Sequence, residues 1–459
     1  MPTRVTGASL RQSKLFRYLG CAVFLGLLPC WLFSPSVQAQ GECPELTSFY
    51  SSGEQDWSQT RSRLAEIFEF CLLSSEYFAL YGAAQLNTGD LNAAMESLER
   101  SLLLDPNNGA ALIDYAQALL QDGQLFAAIE ANQLLLARQD IAAPLANDIA
   151  QRQRDWQSLT RQTIWQIDVL GGYDDNLNGA PDQDLVTLTL SGESVILALT
   201  EEFQAVSGPF LNLRVAGRHR RLGPQNQHNF VGELRGRLSN DSRSDLVQLS
   251  SRYNLVRPDR RNSWQLNAGM SHLLIGGSPL FTGTDASFRY QFASLVGCRP
   301  YYGTAVQHQV YRNQSQLNGL EAKVGVGSNC SVFGAGNQRL NGEISLLHNR
   351  ALKSNRLGGS RDGWQFILDW QLALSRGVLS AQFNHTELLD ERGFSRLLAN
   401  NARRNIERNS LLIQYREALP ALGPGAQLMV NFYFQDQSSN LDLFRTEDTS
   451  LEIGVSWRF

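Results

Sequence analysis

The sequence predicts an α+β chain of two domains: an N-terminal α-helical repeat domain, then an antiparallel transmembrane β-barrel of about 14 strands. Three observations carry that reading. The stretch from Ser450 to Phe459 alternates strictly between apolar and polar residues. A short motif between Gly89 and Ala128 recurs at a spacing of 34 residues. From Thr163 onward the apolar period is two, punctuated by Gly and aromatics, where upstream it is helical.

Residues 1–39 read as a secretory signal. Arg4, Arg11, Lys14 and Arg17 precede an apolar run from Leu19 to Phe33, and Val37-Gln38-Ala39 supplies small residues for cleavage. Pro29 interrupts the run, which is short of the roughly 20 residues a membrane anchor needs. Removing those four positive charges takes the net charge from −4 to −8. An acidic chain without a basic tract argues against nucleic acid as a partner. Only Lys323 and Lys353 are lysines beyond the signal, so arginine supplies nearly all the positive charge. Genomic composition is the simpler account; guanidinium forks also suit lipopolysaccharide phosphates and carboxylate networks in a lumen.

Cys21 and Cys30 leave with the signal, and the remaining four cysteines are compatible with two disulfides in an exported protein. Cys298 and Cys330 are equidistant from Gln314, so an antiparallel hairpin centred there sets them opposite one another. Cys43 and Cys71 then join the N-terminal segment to the first helix. The sequence has no CxxC spacing to support zinc or thiol redox chemistry.

Residues 40–160 form the helical domain. Gly89, Leu91, Ala93 and Ala94 recur as Gly123, Leu125, Ala127 and Ala128, with Asp105-Pro106-Asn107 between the units. That is the tetratricopeptide pattern, and it places Gly89, Ala93, Gly123 and Ala127 as small packing residues where paired helices cross. Two units alone bury too little, so helices near 57–73 and 145–160 are expected to cap the stack. Such a solenoid offers a concave surface to polypeptide partners.

Residues 161–459 form the barrel. Trp364, Phe366, Leu368 and Trp370 oppose Gln365, Asp369 and Gln371; Leu211, Leu213 and Val215 oppose Asn212, Arg214 and Arg218. One face is apolar toward lipid and the other polar toward a wet lumen. Arg214, Arg218, Arg252, Asp369, Gln427, Asn431, Glu452 and Arg458 are therefore the lumen-facing candidates, for internal salt-bridging or for contact with a passenger. The long connections (174–207, 350–361, 389–404 and 437–448) are all odd-numbered, which fits long loops outside and short turns inside. Residues 185–200 can themselves form a hairpin, which would change the strand count by two. In the last strand Leu451, Ile453, Val455, Trp457 and Phe459 make the apolar face, resembling the C-terminal signal through which the barrel assembly machinery recognises its substrates.

Catalytic signals are absent from the sequence. His219, His228, His272, His308, His348 and His385 lack metal-ligand spacing, and no GxSxG, HExxH or phosphate-loop motif occurs. The expectation is a protein that is not an enzyme and carries no cofactor. Asp174-Asp175-Asn176-Leu177-Asn178-Gly179 resembles the opening of a calcium loop, but Leu185 stands where the bidentate Glu belongs. Turn chemistry is the preferred reading of that stretch.

A secretory signal, a short tetratricopeptide domain, and a barrel opening on Gly171-Gly172-Tyr173-Asp174-Asp175-Asn176-Leu177-Asn178-Gly179-Ala180-Pro181 and ending in Trp-Arg-Phe resemble the surface lipoprotein assembly modifier (Slam) family. Locally the resemblance rests on Asp174, Asp175, Asn176, Asn178, Ala180 and Pro181. It implies a component of an outer-membrane translocon, with its N-terminal domain in the periplasm. Its clients would be particular surface lipoproteins or related secreted haem- and iron-binding proteins. The repeat region departs from the pattern, with two clear units where larger members have more. Two other classes stand beside it: a polysaccharide-export barrel with a repeat domain, and a passive channel or adhesion barrel.

Overall fold

The computed structural model describes residues 42–50, 55–258, 261–331 and 338–459. The signal reading of residues 1–39 lies outside them. Among the described residues, six α-helices precede a closed antiparallel barrel of 14 strands. The chain forms two compact units, one ending at Ala111 and one running from Leu112 to Phe459.

In the first unit, α1 (Trp57–Glu66), α2 (Ser75–Asn87) and α3 (Leu91–Leu104) each start at a side chain that caps free backbone N–H groups. Asp56 accepts from Ser58 and Gln59 at 3.1 and 3.0 Å, and Ser74 accepts from Tyr77 at 3.2 Å. Such caps contribute about 1 kcal/mol each. The core holds Leu46, Phe49, Leu64, Tyr77 and Phe78. The Tyr77 hydroxyl donates to the Leu64 carbonyl at 2.7 Å, and burial pushes its pKa up. A disulfide joins Cys43 to Cys71 across this core, with Cα atoms 4.7 Å apart.

The small residues of the repeat do different jobs from the ones the spacing suggested. Gly89 and Gly123 lie in turns after helices, at φ of +83° and +80°, with nothing near the position of a Cβ. They are the left-handed residues that end a helix, and not packing residues. Close approach of helices falls instead to Gly82, where a Cβ would sit 2.6 Å from Leu98 Cγ. Ala93 and Ala127 are half-buried, while their neighbours Ala94 and Ala128 are completely buried.

α4 (Gly109–Gln121) contains the boundary between the units, and α5 (Leu125–Leu136) and α6 (Ala143–Leu159) belong to the second. Buried Asn132 donates to the Ile149 carbonyl at 3.1 Å and to Gln153 at 2.8 Å, tying α5 to α6. Arg152 donates to Asn132 at 2.8 Å and lies over the Trp156 ring. Burial pushes the Asp114 carboxyl up to about 6, against the opposing pull of Arg152.

After Thr160 the chain enters β1 (Arg161–Asp174), then a hairpin of β2 (Leu185–Leu190) and β3 (Glu193–Ala198). The barrel resumes with β4 (Gly208–Leu222), β5 (Gln227–Ser239), β6 (Leu246–Arg257), β7 (Ser263–Ile275), β8 (Ser278–Gln291) and β9 (Cys298–Tyr311). It continues through β10 (Gly319–Ser331), β11 (Gln338–Ala351), β12 (Arg361–Ala373) and β13 (Gly377–Gly393). Finally come β14 (Arg403–Ala418), β15 (Ala426–Ser439) and β16 (Thr446–Arg458). Each barrel strand pairs with its neighbours in order, and β16 closes on β1. Residues 185–198 do form a hairpin, but it stands outside the barrel sheet, so the barrel count stays at 14.

Alternation sorts the side chains. Leu451 and Ile453 on β16 are more than half exposed, while Glu452 and Ser456 are 9% and 1% exposed. The exposed series Trp165, Ile167, Val169 on β1 and Leu211, Leu213, Val215 on β4 continues an apolar exterior around the wall. A closed sheet leaves no unpaired edge, which is what a strand-built protein needs in hydrocarbon.

The closing seam is the shortest pairing of the sheet. Gln166 to Asp174 face Ser450 to Arg458, whereas β1 pairs with β4 over Arg161–Asp174. Two glycines make its close approach feasible. A Cβ at Gly454 would collide with the Val169 carbonyl oxygen, and one at Gly172 would lie 2.6 Å from the Leu451 carbonyl oxygen.

Candidate functional site

The lumenal face carries polar side chains from every part of the wall, and most are cross-braced. Next to the seam, Arg214 on β4 reaches Asp168 on β1 at 3.0 Å and Glu233 on β5 at 2.6 Å. Asn212 donates to Glu452 at 2.9 Å, and Arg237 pairs with Asp174 at 2.8 Å. Across the barrel, Asp369 accepts from Asn341 and Gln382 at 2.8 and 2.7 Å. Tyr301 is 2% exposed and donates toward Asn341 and Glu343, with Arg289 stacked 4.2 Å from its ring centre.

The sequence candidates thus separate into two groups. Arg214, Asp369, Asn431 and Glu452 are held by neighbouring strands; Gln414 donates to Asn431 at 2.8 Å. Arg458 donates to Gln166 at 3.3 Å beside the seam. Arg218 and Arg252 form no ion pair among the described residues. Both line a polar lumenal cavity of about 1010 Å³, with Asn254, Asn267, Asp285 and Lys323. Gln427 is half-buried at the start of β15.

At the rim reached by the end of β1, the Asp-Asn-x-Asn-x-Ala-Pro stretch folds as one turn. Asp174 accepts the Asn176 N–H at 2.8 Å, and Asn176 clasps Ala180 in both directions at 2.9 Å. Asn176 also donates to the Glu447 carbonyl at 2.8 Å, and Asp175 accepts from the Thr449 N–H at 2.7 Å. Asn178 brackets the returning chain at Gln204 and Val206, and Pro181 follows buried Ala180. The side chains of Asp174, Asp175, Asn176 and Asn178 are therefore fasteners between β1, the following loop and β16. Carboxylate oxygens of Asp174, Asp175 and Asp448 lie within 4.8 Å of one another, with the first two already accepting protein donors.

Sequence reasoning missed a second set at the same rim. Asp390, 1% exposed at a register shift in β13, is held by Arg361 and Arg404 at 3.0 and 3.1 Å. The Arg404 guanidinium lies over the rings of both Phe394 and Phe444, 4.4 and 4.3 Å from their centres, and the two rings meet edge to face. Those rings belong to an apolar cluster with Val186, Leu398 and Leu441, on which the β2–β3 hairpin packs. Thr189 N–H donates to the Leu397 carbonyl at 2.8 Å, completing the attachment.

At the opposite rim a disulfide joins Cys298 on β9 to Cys330 on β10, directly across the ladder.

No protein-family model matches the sequence, and no curated protein sequence matches it. Solved structures resemble parts of it. The Yersinia enterocolitica type III secretion translocator chaperone SycD is 18% identical with a TM-score of 0.21, over 22% of this chain and 71% of that one. An anion-selective porin from Comamonas acidovorans is 11% identical with a TM-score of 0.32, over 65% and 99%. A bacterial polysaccharide outer membrane secretin is 10% identical with a TM-score of 0.34, over 64% and 98%. Likenesses this distant carry no functional argument. The class rests on the chain itself: a helical region followed by an apolar-walled, polar-lumened antiparallel barrel, the architecture of outer-membrane proteins.

Proposed function

We propose that this chain is an outer-membrane translocon component that delivers particular client proteins to the cell surface, as its resemblance to the surface lipoprotein assembly modifiers implies. One observation carries the reading. A helical region with the tetratricopeptide repeat is continuous with the first strand of a barrel whose lumen keeps a polar cavity of about 1010 Å³. In this reading the N-terminal helices face the periplasm and raise the effective concentration of a client lipoprotein or secreted binding protein at the barrel mouth. Arg218 and Arg252, which form no ion pair among the described residues, supply lumenal cations for a passing chain. The last strand is the part that the barrel assembly machinery reads. No catalytic step and no cofactor is assigned.

Protease shaving of intact cells tests this, with and without the gene, following lipoproteins and secreted binders encoded beside it. Loss of one client from the surface while its periplasmic pool persists is expected. A chain lacking residues 40–160 should insert its barrel and still fail to display that client. Normal display by the truncated chain would sink the tethering role, and unchanged exposure of every neighbour would turn the reading toward glycan export or a passive channel.

A further inference from the structure

Near the strand ends from which β1 starts, the outer wall stops being apolar. Arg161 on β1 lies directly opposite Arg221 on β4, which lies directly opposite His228 on β5. All three share the outward face with Trp165 and Phe230, because they alternate with lumenal residues along each strand. In the adjoining row Thr163, His219, Phe230 and Tyr253 stand side by side across four strands. His219 bonds Thr163 at 2.9 Å, and His228 bonds Tyr253 at 2.7 Å.

Like charges directly opposite in a ladder destabilise it, and a carboxylate normally relieves them. Here none does. Arg161, Arg221 and Arg154 make no ion pair among the described residues. The helices add a roof: Phe126 and Ile129 of α5 and Arg154 of α6 face the arginine row across a cavity of about 1200 Å³. Farther along the strands, Trp165, Phe230 and Tyr253 are 54%, 52% and 41% exposed, and beyond them the wall is aliphatic. Aromatics of this kind mark the border of the hydrocarbon, so the paired guanidinium groups stand at headgroup depth.

We propose that this cavity binds the phosphate headgroup of a membrane glycerophospholipid. The guanidinium forks of Arg161 and Arg221 grip the phosphate, and the acyl chains run over Trp165 and Phe230 into the apolar band. Planar two-point donation to phosphate is what arginine does best. Exposed aromatics toward the bilayer select a lipid over a soluble anion. The site requires a membrane-spanning barrel and makes no use of client delivery, so the two readings fail separately.

Native mass spectrometry of the full-length protein in lipid-stripped detergent provides the test. Phosphatidylglycerol, a diacylglycerol with the same chains, and inorganic phosphate are the probes. One phosphatidylglycerol is expected to stay bound, with diacylglycerol at least tenfold weaker and millimolar phosphate unable to displace the lipid. Arg161→Gln/Arg221→Gln should weaken phosphatidylglycerol at least tenfold, while Arg243→Gln, on an exposed turn, leaves it unchanged. Equal binding of diacylglycerol, or undiminished binding by the double variant, overturns the proposal; displacement by phosphate reduces the cavity to a simple anion site. The lipid comparison on the unaltered protein decides the matter even if the double variant fails to fold.

Discussion

Arg404 and Asp390 meet through two parallel contacts inside one rim of the barrel, Nε to Oδ2 at 3.1 Å and Nη2 to Oδ1 at 3.2 Å. Both are almost completely buried, and Arg361 joins them from β12 at 3.0 Å. Breaking such a buried pair by removing one partner leaves a charge with neither water nor a counter-ion. Asp390→Ala strands two guanidinium groups and is expected to destabilise the barrel by roughly 3 kcal/mol. Urea unfolding in micelles, followed by the heat-dependent gel shift of folded barrel, measures this. A change below about 0.5 kcal/mol, the ordinary range of surface substitutions, would show the pair to be idle.

The seam yields a paired comparison. Gly454→Ala pushes a methyl group into the Val169 carbonyl, whereas Gly171→Ala meets nothing within 4 Å. Overpacking of this kind costs about 1–3 kcal/mol and acts on the pairing that closes the barrel. Slower acquisition of the compact, heat-shifted form is therefore expected for Gly454→Ala and not for Gly171→Ala. Equal behaviour of the two would mean that the seam relaxes freely.

Asp114 gives the helices a pH dependence with a definite sign. Its carboxyl is raised by burial to about 6 from the ordinary value of 3.8. The unfolded chain therefore releases this proton at lower pH than the folded one. The stability contribution is complete below about pH 4 and is lost as pH rises toward 6. Between those limits the native chain should lose roughly 2 kcal/mol through this group, and Asp114→Asn should remove that slope. Thermal unfolding followed through helix content at a series of pH values tests it; parallel curves for the two proteins would contradict the assignment.

The Cys43–Cys71 disulfide closes a sequence separation of 28 in the first unit. A loop of that size stabilises by about 3–4 kcal/mol through loss of freedom in the unfolded chain. Cys43→Ser/Cys71→Ser should lower the helical melting transition markedly and leave the barrel gel shift untouched. Retention of the helical transition would place the stability of that unit in its apolar core.

The barrel was legible because its two faces face different solvents: lipid outside and water inside force a period of two that survives in strands such as Trp364–Leu372. The hairpin at 185–198 was legible as local pairing, but its place outside the wall depends on packing against Leu398 and Leu441, far along the chain. Tetratricopeptide spacing puts small residues at crossings, which points to Gly89 and Gly123 as packing residues, whereas both end helices in turns. The Asp90 that caps α3 immediately after Gly89 was the available sign of a turn. Lumenal pairing was not legible, since Arg214 chooses Asp168 and Glu233 through the register of two neighbouring strands. Asp390 escaped notice because its partners converge only where β13 shifts register.

Between α6 and β1 there is a single residue, Thr160, and it is pinned from both sides. Its hydroxyl donates to the Gln157 carbonyl at 2.7 Å, and its own carbonyl accepts from the Leu222 N–H at 2.7 Å. A one-residue joint offers two soft torsions and no slack. α6 and β1 therefore work as a stiff crank: a pull on the helix arrives as displacement of the strand that closes the barrel, with no spring in between to absorb it.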